Sequence, residues 1–182
     1  MRSIRIPQDR VGTIIGTKGV TKRMLQRKAG ISMVIDAEEG VIDIKDDAEN
    51  ADPLMALKLI DVVKAIGRGF SPERSMRLFE EDEYLEVVDL KEIVGSKANQ
   101  LERIRGRLIG KDGKTREIIE ELTGVYMTIY GNTVALIGNS VSLPVAKHAI
   151  ELILNGSEHS TVYHYLEGQR PRLRIAEMGF DL

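Results

Sequence analysis

The fold is decided by a ten-residue stretch that occurs twice, as GTIIGTKGVT at residues 12–21 and as GRLIGKDGKT at residues 106–115. A shift of 94 positions (110 − 16) superimposes the two stretches and their glycines. Over residues 11–35 and 105–129, the same shift gives eight identities in twenty-five positions, and four of them are glycines. Chance seldom aligns four glycines in one turn pattern, so the chain is an internal duplication.

Both copies predict the same order of secondary structure, because apolar residues recur at the same spacings around the turn. Glycine follows the second helix of each copy, at Gly30 and Gly124, as a residue that ends a helix. Asp52-Pro53 is typical of a helix start. The predicted elements are strands at 3–7 and 84–90, a helix before each turn, helices at 20–29 and 114–123, strand pairs at 33–36 with 41–44 and at 127–130 with 134–137, and closing helices from Pro53 and Pro144. This β-α-α-β-β-α order predicts an α+β fold.

The composition indicates a folded protein without a membrane segment. Of the 182 residues, 42% are hydrophobic and 30% are charged, and no apolar run approaches the roughly 18 residues of a membrane span. The absence of cysteine excludes disulfides and thiolate metal sites. We therefore expect a cytoplasmic protein.

The formal net charge of −2 hides local basic segments. Residues 9–30 carry six Lys or Arg against one acid, whereas residues 36–53 carry eight acids against one Lys. The distribution of charge matters more for nucleic-acid binding than its sum. The basic residues cluster around the two glycine turns.

The second turn looks like a nucleotide-binding phosphate loop, but the spacing excludes it. A Walker A motif needs a glycine five residues before the Gly-Lys pair. For Gly113-Lys114-Thr115 that position is Leu108. We expect no ATPase or GTPase.

A Gly-x-x-Gly turn between two helices suits a nucleic-acid backbone. Glycine has no Cβ, so phosphates can approach the main chain. The following helix offers N–H groups and partial positive charge at its N-terminus. This arrangement resembles the type I KH family, whose loop contacts about four nucleotides of single-stranded RNA or DNA. The resemblance implies two KH modules, with no cofactor, no metal and no catalytic residue.

The candidate RNA-binding residues lie in the two turns and beside them. In the KH family, apolar residues before the turn and on the strand behind it form the floor of a groove for bases, and here the core is the competing assignment for them. These apolar residues are Ile14, Ile15, Met33 and Ile35, and in the second copy Leu108, Ile109, Met127 and Ile129. The predicted RNA-binding residues are Gly16, Thr17, Lys18, Gly19, Lys22, Arg23, Arg107, Ile109, Gly110, Lys111, Asp112, Gly113, Lys114 and Arg116.

The second copy and the segment after it are similar to a particular group of KH proteins. The stretches GKDGKTREIIEELTG and HSTVYHYLEGQR resemble the ribosome-assembly KH proteins, which include Dim-two, the partner of the Nob-one nuclease, and its archaeal relatives. This resemblance implies binding to small-subunit ribosomal RNA near its 3′ end, alongside a processing nuclease or another assembly factor. Whether one or both modules bind RNA stays open.

The predicted boundaries are a first KH domain at 1–69, a helical linker at 70–83, a second KH domain at 84–156 and a C-terminal helix or tail at 157–182. Arg170, Arg172 and Arg174 in the tail are either solvated or, if the tail is extended, aligned with phosphates.

Two other functions compete with RNA binding. The first is a protein-interaction scaffold, because a KH fold can exist without RNA binding. The second is a metal-dependent nuclease that uses the acidic run Glu80, Glu81, Asp82, Glu83. Adjacent side chains in a linker do not converge on one ion, which makes the nuclease the weaker alternative.

Overall fold

The computed structural model describes residues 1–180 and confirms the α+β class. The chain divides after Glu81 into two compact units. The elements of the first unit are strand β1 (Arg2–Arg5), helix α1 (Gln8–Ile15), a 3-10 turn (Thr17–Gly19), helix α2 (Val20–Ala29), strands β2 (Ser32–Asp36) and β3 (Val41–Lys45), helices α3 (Pro53–Gly67) and α4 (Pro72–Ser75), and a 3-10 turn (Met76–Phe79).

The second unit repeats the order from β1 to α3 and adds two helices. Its elements are β4 (Tyr84–Asp89), α5 (Leu90–Val94), α6 (Ala98–Ile109), a 3-10 turn (Lys111–Gly113), α7 (Lys114–Thr123), β5 (Tyr126–Tyr130), β6 (Thr133–Gly138), α8 (Ser142–Leu154) and α9 (His159–Glu177). Helices α2 and α7 have the predicted bounds, and the predicted strands are at most two residues out of place at either end. Neither α5 nor α9 has a counterpart in residues 1–81.

Each unit contains one three-stranded antiparallel sheet with the last strand in the middle, in the orders β1-β3-β2 and β4-β6-β5. In the first sheet, Ile42 lies opposite Ile4, and Ile44 lies opposite Met33. All four of these side chains are buried. The alternation in β3 therefore gives the sheet one apolar face, as its sequence predicts.

The core of the second unit joins the helices to its sheet. Leu108 of α6, Ile119 of α7, Met127 of β5 and Ile150 of α8 belong to one cluster and are fully buried. Helix α9 packs on α7 and α8. Its buried residues complete the same cluster: Val162, Leu166 and Leu173.

The residues between the two modules and after the second one are folded. Phe70, Leu78 and Phe79 are buried, and both α4 and the turn after it pack on α3. Segment 70–83 is therefore mostly a packed part of the first unit. The tail is helical from His159 to Glu177, so Arg170, Arg172 and Arg174 do not lie along an extended chain and do not form one row.

The start of α3 follows the sequence prediction. The side chain of Asp52 accepts a hydrogen bond of 2.9 Å from the backbone N–H of Leu54, and Pro53 occupies the first helical position. Leu59, Val62 and Ile66 then fall on the buried side of the helix, with Met55 half-buried. Asp52 thus fixes where this core helix begins.

We expect Asp52→Ala to lower the free energy of unfolding by about 1 kcal/mol, because a helix N–H loses its acceptor. Chemical denaturation followed by circular dichroism measures this difference. Asp52→Asn is the matched control, since its side-chain oxygen can still accept the bond. Equal losses in the two variants would contradict a capping role.

Candidate nucleic-acid interface

The two Gly-x-x-Gly turns have the same unusual backbone. Three of the four residues in each turn have positive φ, which residues other than glycine seldom adopt. The first glycine has φ/ψ of 72°/171° at Gly16 and 75°/172° at Gly110. The third residue has 54°/27° at Lys18 and 54°/29° at Asp112. The duplication therefore extends to the detailed shape of the turn.

The first glycine of each turn is required by packing inside the protein. A Cβ atom on Gly16 would lie 2.3 Å from the Oγ1 atom of Thr21. A Cβ atom on Gly110 would lie 2.2 Å from the Oγ1 atom of Thr115. Each threonine is the second residue of the helix that follows the turn. The space beside the first glycine is therefore filled by the protein itself.

The second glycine is the one that leaves the backbone open. A Cβ atom on Gly113 would meet nothing within 4 Å. A Cβ atom on Gly19 would lie 3.0 Å from the guanidinium of Arg23, the end of a flexible side chain. That guanidinium donates a 2.8 Å hydrogen bond to the carbonyl oxygen of Lys18. In the first unit, positive charge therefore lies directly over the turn.

The predicted side chains of the turns point into solvent. Thr17, Lys18, Lys111 and Asp112 are all exposed. So is Lys114, the first residue of α7, while Lys22 in α2 is half-buried. The first turn of an α-helix carries N–H groups without intrahelical partners and a partial positive charge. Each turn thus places exposed side chains next to a helix N-terminus.

Arg107, predicted to bind RNA, has its guanidinium engaged elsewhere. One nitrogen donates a 2.6 Å hydrogen bond to the carbonyl of Ile153, and another bonds the carbonyl of Ser157. These carbonyls lie at and beyond the C-terminal end of α8. Arg107 therefore fixes α6 to α8 and is not a free phosphate ligand.

In the first unit, Arg10 makes the same kind of contact from a position one helical turn before the equivalent of Arg107. The guanidinium of Arg10 donates hydrogen bonds of 2.8 Å and 2.9 Å to the carbonyls of Ile66 and Phe70. In each unit an arginine of the helix before the turn thus contacts two carbonyls that lie four residues apart. These carbonyls are near the end of α3 in the first unit and of α8 in the second. Sequence alignment misses this correspondence, because Arg10 and Arg107 are not at equivalent positions.

Arg116 is paired as well. Its guanidinium lies 2.5 Å from the carboxylate of Glu120 one turn along α7, and its side chain is 33% exposed. The carboxylate of Glu120 compensates the positive charge of Arg116, which was predicted to bind RNA. Arg116 therefore adds less positive potential than its position in the sequence indicates.

The two helices after the turns differ in charge. Helix α2 contains four basic residues and no acid, whereas α7 contains two basic residues and three acids. The charged residues of α2 are Lys22, Arg23, Arg27 and Lys28, and those of α7 are Lys114, Arg116, Glu117, Glu120 and Glu121. Of the two helices that follow the turns, α2 is consequently the more basic.

The apolar residues predicted to floor a groove fall into two groups. Four of them are core residues with at most 2% exposure, and the other four reach the surface at least in part, with Ile109 at 38%. The core group is Ile14, Met33, Leu108 and Met127, and the surface group is Ile15, Ile35, Ile109 and Ile129. The first group belongs to the core, which was the competing assignment for these residues.

Helix α9 reaches the second turn through side chains that the sequence did not assign to the site. The hydroxyl of Tyr163 lies 2.9 Å from Oγ1 of Thr115, and His159 Nε2 lies 2.9 Å from the carbonyl oxygen of Arg107. The identity of Thr21 and Thr115 marks the packing that both share against the first glycine of the turn, and no local sequence pattern points to these contacts with α9.

The two residues that follow Tyr163 in α9, His164 and Tyr165, have different surroundings. Tyr165 packs edge-on against the ring of His148, with ring centroids 4.8 Å apart. Burial raises the pKa of Tyr165, so its phenol stays protonated near neutral pH. His164 is exposed. Tyr165 therefore packs against another ring, Tyr163 makes the hydrogen bond and His164 faces solvent.

The acidic run does not gather into a metal site. Glu80, Glu81 and Asp82 are exposed. Within residues 1–180, no group of three or more His, Cys, Asp or Glu side chains is arranged to hold a metal ion. The helices in that range are also too short or too polar to cross a membrane.

Three glycines around the second turn provide a graded test of its packing. Gly106→Ala, inside α6 with open space around it, should stabilise the fold by up to about 1 kcal/mol. Gly113→Ala should cost about 1–2 kcal/mol for its left-handed backbone. Gly110→Ala should cost about 3 kcal/mol, because the collision with Thr115 adds to that strain. Chemical denaturation gives all three values, and equal costs for Gly110→Ala and Gly113→Ala would contradict the packing role.

Comparison with known proteins covers both halves of the duplication. A model of eukaryotic-type KH domains of type I matches residues 84–171, and a KH-domain model matches residues 1–53. A KH domain-containing protein of Methanocaldococcus jannaschii is 41% identical over 173 residues, which cover 95% of this chain and 75% of that protein.

Two further relatives carry more specific names. The RNA-binding protein PNO1 of Oryzias latipes is 32% identical over 123 residues, which cover 67% of this chain and 51% of that protein. A chain in the crystal structure of the a/eIF2alpha–aDim2p–rRNA complex from Pyrococcus horikoshii is 44% identical, with a TM-score of 0.87 and 94% of both chains covered. With both turns, both sheets and these matches in agreement, this chain belongs to the KH-domain family of RNA-binding proteins, with two type I modules, and resembles Dim2 and PNO1.

Proposed function

We propose that this chain binds single-stranded RNA through both Gly-x-x-Gly turns and acts in the processing and assembly of small-subunit ribosomal RNA. The observation that carries the proposal is the backbone of the last glycine in each turn, at the start of a ten-residue helix: it is open at Gly113, and at Gly19 it faces only the flexible guanidinium of Arg23. A phosphate can approach that backbone without meeting a side chain of the turn itself.

Phosphate binding follows from the groups around each open glycine. The helix N-terminus favours an anion through its N–H groups and its partial positive charge. Lys18 in the first turn, and Lys111 and Lys114 in and beside the second, are exposed and add mobile charge. Arg23 is already held over the first turn by the carbonyl of Lys18. Arg107 and Arg116 do not contact phosphate in this proposal. Arg107 holds α6 to α8, and Arg116 pairs with Glu120.

Base binding falls to the partly exposed apolar residues beside the turns. Ile15 and Ile109 end the helices before the turns, and Ile35 and Ile129 lie on the neighbouring strands. Apolar surface of this kind suits unstacked bases, which a duplex does not present. This is why we propose a single-stranded ligand.

The ribosomal role rests on the resemblance to Dim2 and PNO1 and on the relative from Pyrococcus horikoshii, whose structure is a complex with rRNA. By that resemblance, we place the RNA site near the 3′ end of small-subunit ribosomal RNA, in the cytoplasm. A processing nuclease or another assembly factor is the proposed protein partner. The chain itself is proposed to position RNA and not to cut it.

We expect the affinity for single-stranded RNA to fall steeply with salt. Two modules contacting roughly four to eight phosphates should give a slope of about −3 to −6 in a plot of log affinity against log salt concentration. Fluorescence anisotropy with a labelled oligonucleotide from the 3′ end of small-subunit ribosomal RNA measures the slope. A blunt duplex of the same sequence is the control, and equal affinity for it would contradict recognition of unstacked bases.

The turns themselves are tested by two charge reversals of equal size, Lys18→Asp and Lys111→Asp. Aspartate tolerates the left-handed backbone at position 18, since Asp112 already adopts it in the second turn. Each variant should weaken RNA binding about tenfold, or about 1.4 kcal/mol, because a carboxylate replaces a cation where a phosphate is proposed to lie. Thermal midpoints should stay within a few degrees of the parent, because both positions are exposed.

Lys91→Asp is the matched control for these reversals. It makes the same change in charge at an exposed position of α5, the helix before α6, and α6 itself is about 18 Å long. Its binding should stay within about twofold of the parent. If both turn variants remain folded and bind RNA like the parent, the turns are not the RNA site and the scaffold function replaces this proposal.

A further inference from the structure

The second turn has a support that the first turn does not have. Thr115, whose side chain fills the space beside Gly110, is 2% exposed and lies 2.9 Å from the hydroxyl of Tyr163 in α9. Thr21 lies in the same place beside Gly16. In residues 1–81, however, only short helix α4 and a 3-10 turn follow α3. Nothing like α9 stands behind the first turn.

The support continues into the helix before the turn. His159, one helical turn before Tyr163, places Nε2 2.9 Å from the carbonyl oxygen of Arg107. The two rings are stacked, with centroids 6.0 Å apart and planes inclined by 22°. The guanidinium of Arg107 in turn bonds the carbonyls of Ile153 and Ser157 just before α9. The last turn of α6 and the first turn of α7 are therefore both joined to one end of α9.

The rest of α9 is anchored well enough for these contacts to constrain the turn. Val162 and Leu166 flank Tyr163 along the chain and are fully buried in the core of the second unit. Helix α9 packs along both α7 and α8. The tyrosine is thus presented to Thr115 from a fixed helix.

We infer that Tyr163 is a positioning residue for the second RNA-binding turn, with His159 in support. Through Thr115, Tyr163 holds Gly110 and the residues up to Gly113 in the shape that leaves the last glycine open. The second module therefore needs α9 for full RNA affinity, and the first module does not. This inference rests on the proposed function for its RNA-binding consequence, while its structural part stands without RNA.

The structural part is tested in free protein with Tyr163→Phe, which removes one hydroxyl and keeps the ring. Backbone order parameters from ¹⁵N relaxation report on the turns directly, with about 0.85 for rigid backbone and below about 0.6 for flexible backbone. We expect the values at residues 110–115 to fall toward the flexible range. Those at residues 16–21 of the same molecule should not change, and they serve as an internal control.

Tyr165→Phe is the matched control on the same helix. The ring of Tyr165 packs against His148 and not against Thr115. Loss of its hydroxyl should therefore leave the order parameters of both turns unchanged. Thr115→Val removes the hydrogen bond from the other side with almost the same shape. If the bond is the cause, the double variant Thr115→Val, Tyr163→Phe should be no more mobile than either single variant.

RNA affinity is measured in two backgrounds to separate this inference from the proposed function. With the first turn weakened by Lys18→Asp, Tyr163→Phe should weaken binding by a further threefold to tenfold, roughly. With the second turn disabled by Lys111→Asp, the same change should alter binding less than twofold. If Lys111→Asp itself has no effect on RNA binding, it is the proposed function of the second turn that fails.

Three results would overturn the inference. The first is unchanged order parameters at residues 110–115 in Tyr163→Phe. The second is an equal loss of order in both turns, which would indicate general destabilisation. The third is equal loss of affinity in the two backgrounds, which would place the effect of Tyr163 outside the second turn.

Discussion

The contact between the first glycine of each turn and the threonine five residues later constrains the shape of the turn and the start of the next helix. Gly16 meets Thr21 and Gly110 meets Thr115 at distances that leave no room for a Cβ atom. This contact closes the turn between two helices and fixes the direction in which the second helix leaves. The last glycine then falls at the start of that helix with its backbone open. Removal of the contact would change both the packing and the exposed surface.

The duplication preserves this contact and varies its surroundings. The first turn is followed by α2, which has four basic residues and no acid, and its Arg23 bonds the carbonyl of Lys18. The second turn is followed by α7, in which acids outnumber bases, and it is supported from behind by α9. The first turn therefore lies beside the more basic helix, and the second turn lies beside a helix that packs against α9. The two modules therefore share one turn geometry but differ in the charge of the helix after the turn and in whether α9 packs against that helix.

The arginines show why charge counted along the sequence is a poor guide to a binding surface. Arg10 and Arg107 direct their guanidinium groups to carbonyls near the ends of α3 and α8. Arg116 pairs with Glu120 on its own helix. A guanidinium that satisfies buried or half-buried carbonyls stabilises the fold, and its charge is less available to a phosphate. The side chains of Lys18, Lys111 and Lys114 are exposed, so their charge is available to an anion.

The sequence by itself determined the duplication, the β-α-α-β-β-α order and the bounds of α2 and α7. These features depend on local rules: glycines that end helices, apolar residues at helical or alternating spacing, and the cap at Asp52. Only the tertiary structure decided that Leu108 is core while Ile109 reaches the surface, that Arg107 binds carbonyls, and that the hydroxyl of Tyr163 meets the side chain of Thr115. Those outcomes depend on residues brought together from about 46 to 50 positions apart in the chain, and no local pattern encodes which of several similar side chains meets a distant partner.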